Sequence, residues 1–197
     1  MDLSLPHLAQ HLQDLDSLDS GHDALAPTGF RDAAVIVPLV ARDEGLNLIF
    51  NKRAANLDNH AGQVGFPGGR RDPVDRSLQD TARRELQEEL GIDPARHQVL
   101  RRLPARLVIS HYQVTPFVSL VDPHVPIVPD PGEVAYAFEV PLAHLATPGT
   151  QTAAEREIFG EPRTFYAWEW QGEVIWGATG RIIADLLRAL GADHVDP

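Results

Sequence analysis

Arg84-Glu85-Leu86-Gln87-Glu88-Glu89-Leu90-Gly91 sets three carboxylates within five residues, around leucines spaced four apart. The period continues upstream through Ala82 and Leu78, Ser77 with Asp80 three residues later resembles a capping box, and Gly91 suits a left-handed C-cap. A helix is therefore predicted from Ser77 to Leu90. With Glu85 at zero on an ideal helix, Glu89 falls at about 40° and Glu88 at about −60°, while Ala82, Leu86 and Leu90 lie at roughly 60°, 100° and 140°. Glu85 and Glu89 thus border the buried stripe.

The plain explanation of such a run is a solvated acidic face carrying an Arg84–Glu88 pair, worth a few tenths of a kcal/mol. Like charges one turn apart repel, however, and here they do so beside apolar surface, where ions are poorly solvated. A hard divalent cation, Mg²⁺ or Mn²⁺, would relieve both penalties, binding carboxylate and carbonyl oxygens while keeping waters for a phosphate ligand. Such a metal polarises a phosphoryl oxygen and supports a water nucleophile. Upstream stands Phe66-Pro67-Gly68-Gly69-Arg70-Arg71-Asp72. Paired glycines permit a close backbone approach, so a carbonyl such as that of Gly69 can turn to the metal and Arg70 or Arg71 to a phosphate; a tight turn alone would account for the glycines equally.

Farther out, Ala33 to Val40 and Leu46 to Asn51 read as strands of a hairpin around Arg42-Asp43-Glu44-Gly45. More strands are expected at Gln98 to Ile109, Val114 to Leu120, Val134 to Val140, Phe165 to Trp170 and Glu173 to Trp176, then a helix from Thr179 to about Leu190. Four prolines make Asp122 to Gly132 a loop. The start, with Leu5, Leu8, Leu12 and Leu15 at helical spacing, reads as an N-terminal helix and linker over residues 1–25, ahead of one domain at 26–197. Strands and helices interleave without a regular βαβ repeat, which favours an α+β, mixed-sheet α/β/α sandwich over a doubly wound fold.

At 197 residues the chain can build a core without staples, and having no cysteine it has no disulfide, thiolate metal site or cysteine nucleophile. Any metal must be held by oxygen or histidine. The nine histidines are scattered, and the one helical pair, His7 and His11, belongs to the terminal segment; ordinary hydrogen-bonded roles fit His60 and His111 better than metal binding. A net charge of −11 opposes nucleic acid and anionic membranes as partners, and the absence of a signal-like or span-length apolar run predicts a cytoplasmic protein. An anionic small-molecule ligand would then need local positive charge. The alternating Tyr166, Trp168, Trp170 and Trp176 suit a core or a homodimer interface more than a base-stacking platform.

Taken together, Gly69, Arg84-Glu85-Leu86, Glu88-Glu89 and Gly91-Ile92 resemble the Nudix box, Gly-x5-Glu-x7-Arg-Glu-U-x-Glu-Glu-x-Gly-U with U apolar. Asp75 stands where the pattern has Glu, and eight residues rather than seven separate it from Arg84. The resemblance implies a Nudix fold and a pyrophosphohydrolase, with Glu85, Glu89 and the Gly69 carbonyl as metal ligands, Glu88 assisting, and Arg84 orienting the glutamates. Arg53-Ala54, Gly62 and Phe66-Pro67-Gly68-Gly69 further resemble the coenzyme A pyrophosphatase signature, Leu-Leu-Thr-x-Arg-(Ser/Ala)-x3-Arg-x3-Gly-x3-Phe-Pro-Gly-Gly, except that Ile49-Phe50-Asn51 replaces Leu-Leu-Thr and Asp58 the second Arg. That implies hydrolysis of coenzyme A or its derivatives, with Lys52, Arg53, Arg70 and Arg71 binding the substrate. Glu133, after the proline-rich loop, resembles the late acidic position of several Nudix enzymes and is the candidate general base. The alternatives are ADP-ribose or another nucleoside diphosphate derivative as substrate, and a Nudix-fold binding module that has lost catalysis.

Overall fold

A computed structural model describes Leu8, Gln10, Leu12 and residues 27–57, 59–158 and 160–192. Elements are numbered in chain order. The expected hairpin is β1 (Arg31–Arg42) and β2 (Gly45–Arg53), closed by Asp43 and Glu44 in the register Arg42↔Gly45. Short strands β3 (Val64–Gly65) and β4 (Gly68–Arg70) precede α1 (Leu78–Leu90), and a 3₁₀ turn at Pro94–Arg96 leads into β5 (His97–Arg102). Then come β6 (Arg106–Val108), β7 (Tyr112–Val121), β8 (Val134–Pro141), α2 (Leu142–Leu145), β9 (Gln151–Ile158), β10 (Glu161–Trp170), β11 (Glu173–Ile175) and α3 (Gly177–Ala189).

The main sheet is mixed. Its spine runs β3-β2-β1-β7-β5, with β4 on β1, β6 on β7 and β8 on β2; β1 and β7 pair in parallel and the other contacts are antiparallel. Strand alternation divides its side chains between two cores. Ala34, Ile36, Val40, Ile49 and Phe117 meet Ala82, Leu86 and Leu90 of α1 on one face. Val37, Leu39, Leu48, Phe50 and Val118 meet Ile183, Leu186 and Leu187 of α3 on the other, together with Leu8 and Leu12, which are helical and almost wholly buried. That is the expected α/β/α sandwich. His7, His11 and the linker lie outside the described residues, and no helix among those described is long and apolar enough to cross a membrane.

Three expectations needed correction. The strand predicted over Gln98 to Ile109 is two, because Leu103-Pro104-Ala105 interrupts it and Pro104 has no N–H for a ladder. Trp176 ends no strand but is the N-cap of α3, which begins at Gly177 rather than Thr179. A second sheet, β11-β10-β9, includes a strand not foreseen, since Gln151–Ile158 is exposed for most of its length and lacks apolar alternation. Tyr166 and Trp168 of β10 enter the core, whereas Trp176 is half exposed.

Among the described residues the fold buries one imidazole: His97 Nδ1 lies 2.7 Å from Ser119 Oγ, and burial, aided by the Arg83 charge, pushes its pKa down to about 4. A histidine held below its unfolded value contributes stability that is complete above about pH 6.5 and lost as pH falls through 4. Thermal melts from pH 7 to 4 should show this loss, up to roughly 3 kcal/mol, and His97→Gln should flatten that part of the profile.

Candidate active site

α1 is fixed at both ends. Ser77 Oγ accepts the Asp80 N–H at 3.1 Å, and Gly91, at φ 67°, donates to the Gln87 carbonyl at 2.9 Å. The proline-rich loop closes the C-terminal end further, with Val128 N–H on the Leu90 carbonyl at 2.9 Å and Asp130 N–H on the Glu89 carbonyl at 3.0 Å, satisfying acceptors that a helix end leaves free. Leu86 and Leu90 are wholly buried, which turns Glu85 and Glu89 onto β4 and β2. Side-chain exposure grades outward, from 1% for Glu89 and 12% for Glu85 to 56% for Glu88.

Glu89 is hemmed in by polar groups. Asn51 Nδ2 donates to its Oε2 at 2.5 Å and the Gly68 N–H at 3.3 Å, while Arg53 Nη1 stands 3.5 Å from Oε1. Burial nevertheless pushes its pKa up to about 8, reinforced by the charges of Glu85 and Glu133 and opposed by Arg53. Glu85 is also raised, chiefly by burial, against the pull of Arg84. Glu133 is itself exposed, and its charge reaches both carboxylates.

Gly69 is opposite Ala34 in the β1–β4 ladder and directly beneath Glu85: a Cβ there would lie 2.6 Å from the Glu85 Cδ. Gly69→Ala must displace that carboxylate. The expected result is a folded protein whose metal-dependent turnover falls roughly 100-fold, checked by kcat beside an unchanged circular dichroism spectrum.

Arg84 ties the site together. Its guanidinium donates to Asp75 at 3.1 and 3.0 Å, to Glu85 at 2.8 Å, to Glu88 at 2.7 Å and to the Arg70 carbonyl at 3.2 Å. Asp75 is buried and, with Arg84, Thr81 Oγ1 and the Asp72 N–H around it, its pKa is held down to about 2. So Asp75 anchors the arginine that holds Glu85 and Glu88.

Of the arginines expected to bind substrate, Arg53 reaches Glu89, and Arg70 is exposed beside Arg84. Arg71 instead donates to the Asp75 and Arg76 carbonyls at 3.2 and 3.4 Å, bracing the loop. Lys52 is not brought to the glutamates at all. On β2, Asn51 and Arg53 face α1, so Lys52 points to the opposite face and pairs with Glu173 at 2.6 Å. Asp58 lies outside the described residues. Asn51 was missed; its signal was the two-residue spacing from Arg53, which puts both on one face.

Arg53 also lines a cavity of about 920 Å³ between β3, β6, β10 and the first turn of α3. Arg106, Arg163, Arg181, Phe165 and Trp176 share its wall. An acidic chain has thus gathered basic side chains next to its buried carboxylates.

Residues 29–161, more than half of the chain, match the family model described as the NUDIX domain. The chain belongs to the Nudix hydrolase family. Among its relatives is an uncharacterized Nudix hydrolase NudL of Cronobacter sakazakii, 41% identical over 162 residues that span 82% of this chain and 83% of that one. A Photorhabdus laumondii protein of the same name is 38% identical over 156 residues, 79% and 83% of the two chains. The fold is shared with a crystal structure of a NUDIX hydrolase from Alicyclobacillus acidocaldarius, at TM-score 0.51 and 16% identity, covering 59% of this chain and 81% of that one.

Nudix hydrolases work with divalent metal ions, and the residues here fit one. Two carboxylates carry raised pKa values because burial outweighs the pull of Arg84 on Glu85 and of Arg53 on Glu89, and among the described residues the buried Asn51 Oδ1 has no hydrogen-bond partner. Among the described residues no three His, Cys, Asp or Glu side chains form a ready cage. A magnesium-type site of two carboxylates, a main-chain oxygen and several waters does not need one.

Proposed function

We propose that this Nudix hydrolase cleaves the pyrophosphate bond of coenzyme A or its derivatives, giving 4′-phosphopantetheine and adenosine 3′,5′-bisphosphate. The observation that carries this reading is the pair of carboxylates Glu85, half-buried, and Glu89, buried, packed on Gly68 and Gly69, one guanidinium away from a basic cavity. The signature around Arg53, Gly62 and Phe66–Gly69 supports coenzyme A in particular.

In this reading Glu85, Glu89 and a main-chain oxygen of the Gly68–Gly69 strand hold Mg²⁺ or Mn²⁺. Bound there, the ion polarises a phosphoryl oxygen and neutralises charge gathering on it. Arg53, between Glu89 and the cavity, and Arg70, exposed beside Arg84, steady the diphosphate by charge-assisted hydrogen bonds. Glu133, exposed yet close to both carboxylates, takes the proton of the attacking water, with Glu88 as the second exposed acceptor. The water oxygen joins one phosphorus, the bond from that phosphorus to the bridging oxygen breaks, and the bridging oxygen leaves with the other phosphate. Arg84 is a positioning residue: every contact it makes is to a carboxylate or carbonyl of the site's own frame.

Purified protein with Mg²⁺ or Mn²⁺ is to be offered coenzyme A, ADP-ribose, a dinucleoside polyphosphate and a nucleoside triphosphate. Coenzyme A should show the highest kcat/KM. Turnover of ADP-ribose above coenzyme A would transfer the proposal to that class, and no turnover by metal-bound protein would end it.

A further inference from the structure

The cavity beside Arg53 is larger and more basic than a diphosphate alone requires. A volume of about 920 Å³ is that of a site for a drug-sized molecule. Its wall pairs apolar and aromatic surface, from Leu107, Phe165 and Trp176, with the guanidinium-bearing Arg106, Arg163 and Arg181, and among the described residues no Asp or Glu lines it. Behind the wall a single carboxylate, Asp185, 6% exposed, faces three arginines: Arg106 at 2.7 Å through both oxygens, Arg188 at 2.9 Å and Arg181 at 3.6 Å. One negative charge against three positive ones leaves an excess of two beside the cavity. Burial, reinforced by Arg106 and Arg188, works against the Arg181 charge, and the three arginine side chains are only 23–29% exposed. The first turn of α3, Gly177 to Thr179, lines the same space, and Trp176 offers no side-chain cap to its N–H groups. Arg53 joins this space to Glu89.

We propose that this cavity is a second anion subsite, binding a phosphomonoester that the substrate carries away from its diphosphate, with Arg106, Arg163 and Arg181 as the basic wall and Phe165 and Trp176 against the attached nucleoside. The inference deepens the coenzyme A reading and rests on it, since the adenosine half of coenzyme A bears a 3′-phosphate and that of ADP-ribose does not. Asp185 holds Arg106 in a two-pronged ion pair, which fixes its guanidinium before any ligand arrives.

Binding tests this without turnover. The full chain is titrated calorimetrically with adenosine 3′,5′-bisphosphate and with adenosine 5′-monophosphate at fixed ionic strength. The bisphosphate should bind at least about tenfold more tightly, the worth of one good charge-assisted contact. Arg163→Gln and Arg181→Gln should each pull that ratio toward one while leaving the monophosphate affinity and the thermal midpoint nearly unchanged. Equal affinities in the unaltered protein would overturn the proposal, as would a ratio that survives both substitutions. Failure of hydrolysis across the substrate panel would instead count against the proposed reaction, and the nucleotide ratio would still be read.

Discussion

Glu89→Gln is expected to lower kcat by on the order of 10³ at saturating Mg²⁺ without weakening the metal-free fold. Gln has the same shape, and its amide oxygen can still accept from Asn51 Nδ2, so packing beside Leu86 and Leu90 is kept. What is lost is a charge that burial already opposes and that a cation needs. The measurement has two arms. Turnover reports the loss of chemistry, and the thermal midpoint with and without Mg²⁺ reports metal binding, which should raise the unaltered protein by up to about 2.7 kcal/mol at a hundredfold excess over Kd and the variant by far less. A variant within threefold of the parent in kcat would remove Glu89 from the metal site. A variant that melts much earlier without metal would mean the carboxylate is structural.

Removing Arg84 should have the second large effect, and on stability first. Arg84→Gln leaves Asp75 buried and charged with only Thr81 and the Asp72 N–H for company, and frees Glu85 and Glu88 to repel. Breaking such a buried pair from one side costs about 3 kcal/mol or more. Asp75→Asn introduced as well should recover part of that, because an amide in place of the carboxylate removes the stranded charge. Chemical denaturation of the two single variants and the double variant gives the coupling directly. Strict additivity would show that the pair is ornamental. The activity of the double variant should stay low even where its fold is restored, since Glu85 and Glu88 have lost the cation that sets them.

How legible this was depended on what each residue had to satisfy. α1 could be read to its ends because period, cap and left-handed glycine all obey local rules, and its two inward carboxylates fell where helical phase put them. β4 was hidden by the opposite logic: Gly68-Gly69-Arg70 looks like a turn, and only its pairing with Ala33–Val35 across the chain makes it a strand. β9 pairs with β10, and from Thr152 to Glu157 it is exposed on both faces, so no alternation marked it. Lys52 carries the same charge as its neighbour Arg53, yet strand alternation separates the two and Lys52 pairs with Glu173 while Arg53 reaches Glu89. Asp75 was visible only as an off-pattern residue. Its contact with Arg84 runs between a loop and the second turn of a helix, a distance that spacing along the chain does not fix.

The loop that docks on α1 bears on timing. Its N–H groups at Val128 and Asp130 bond the carbonyls of Leu90 and Glu89, and Glu133 follows within a few residues, its own N–H on the Asp130 carbonyl at 3.1 Å. The prolines at 123, 126, 129 and 131 have already narrowed the choices open to the unfolded chain, so less freedom remains to be removed when this segment settles. The proposed base and the proposed metal ligand are therefore parts of one stiff piece. The disorder given up in bringing them together is surrendered once, when the chain folds, and not again with each substrate that arrives.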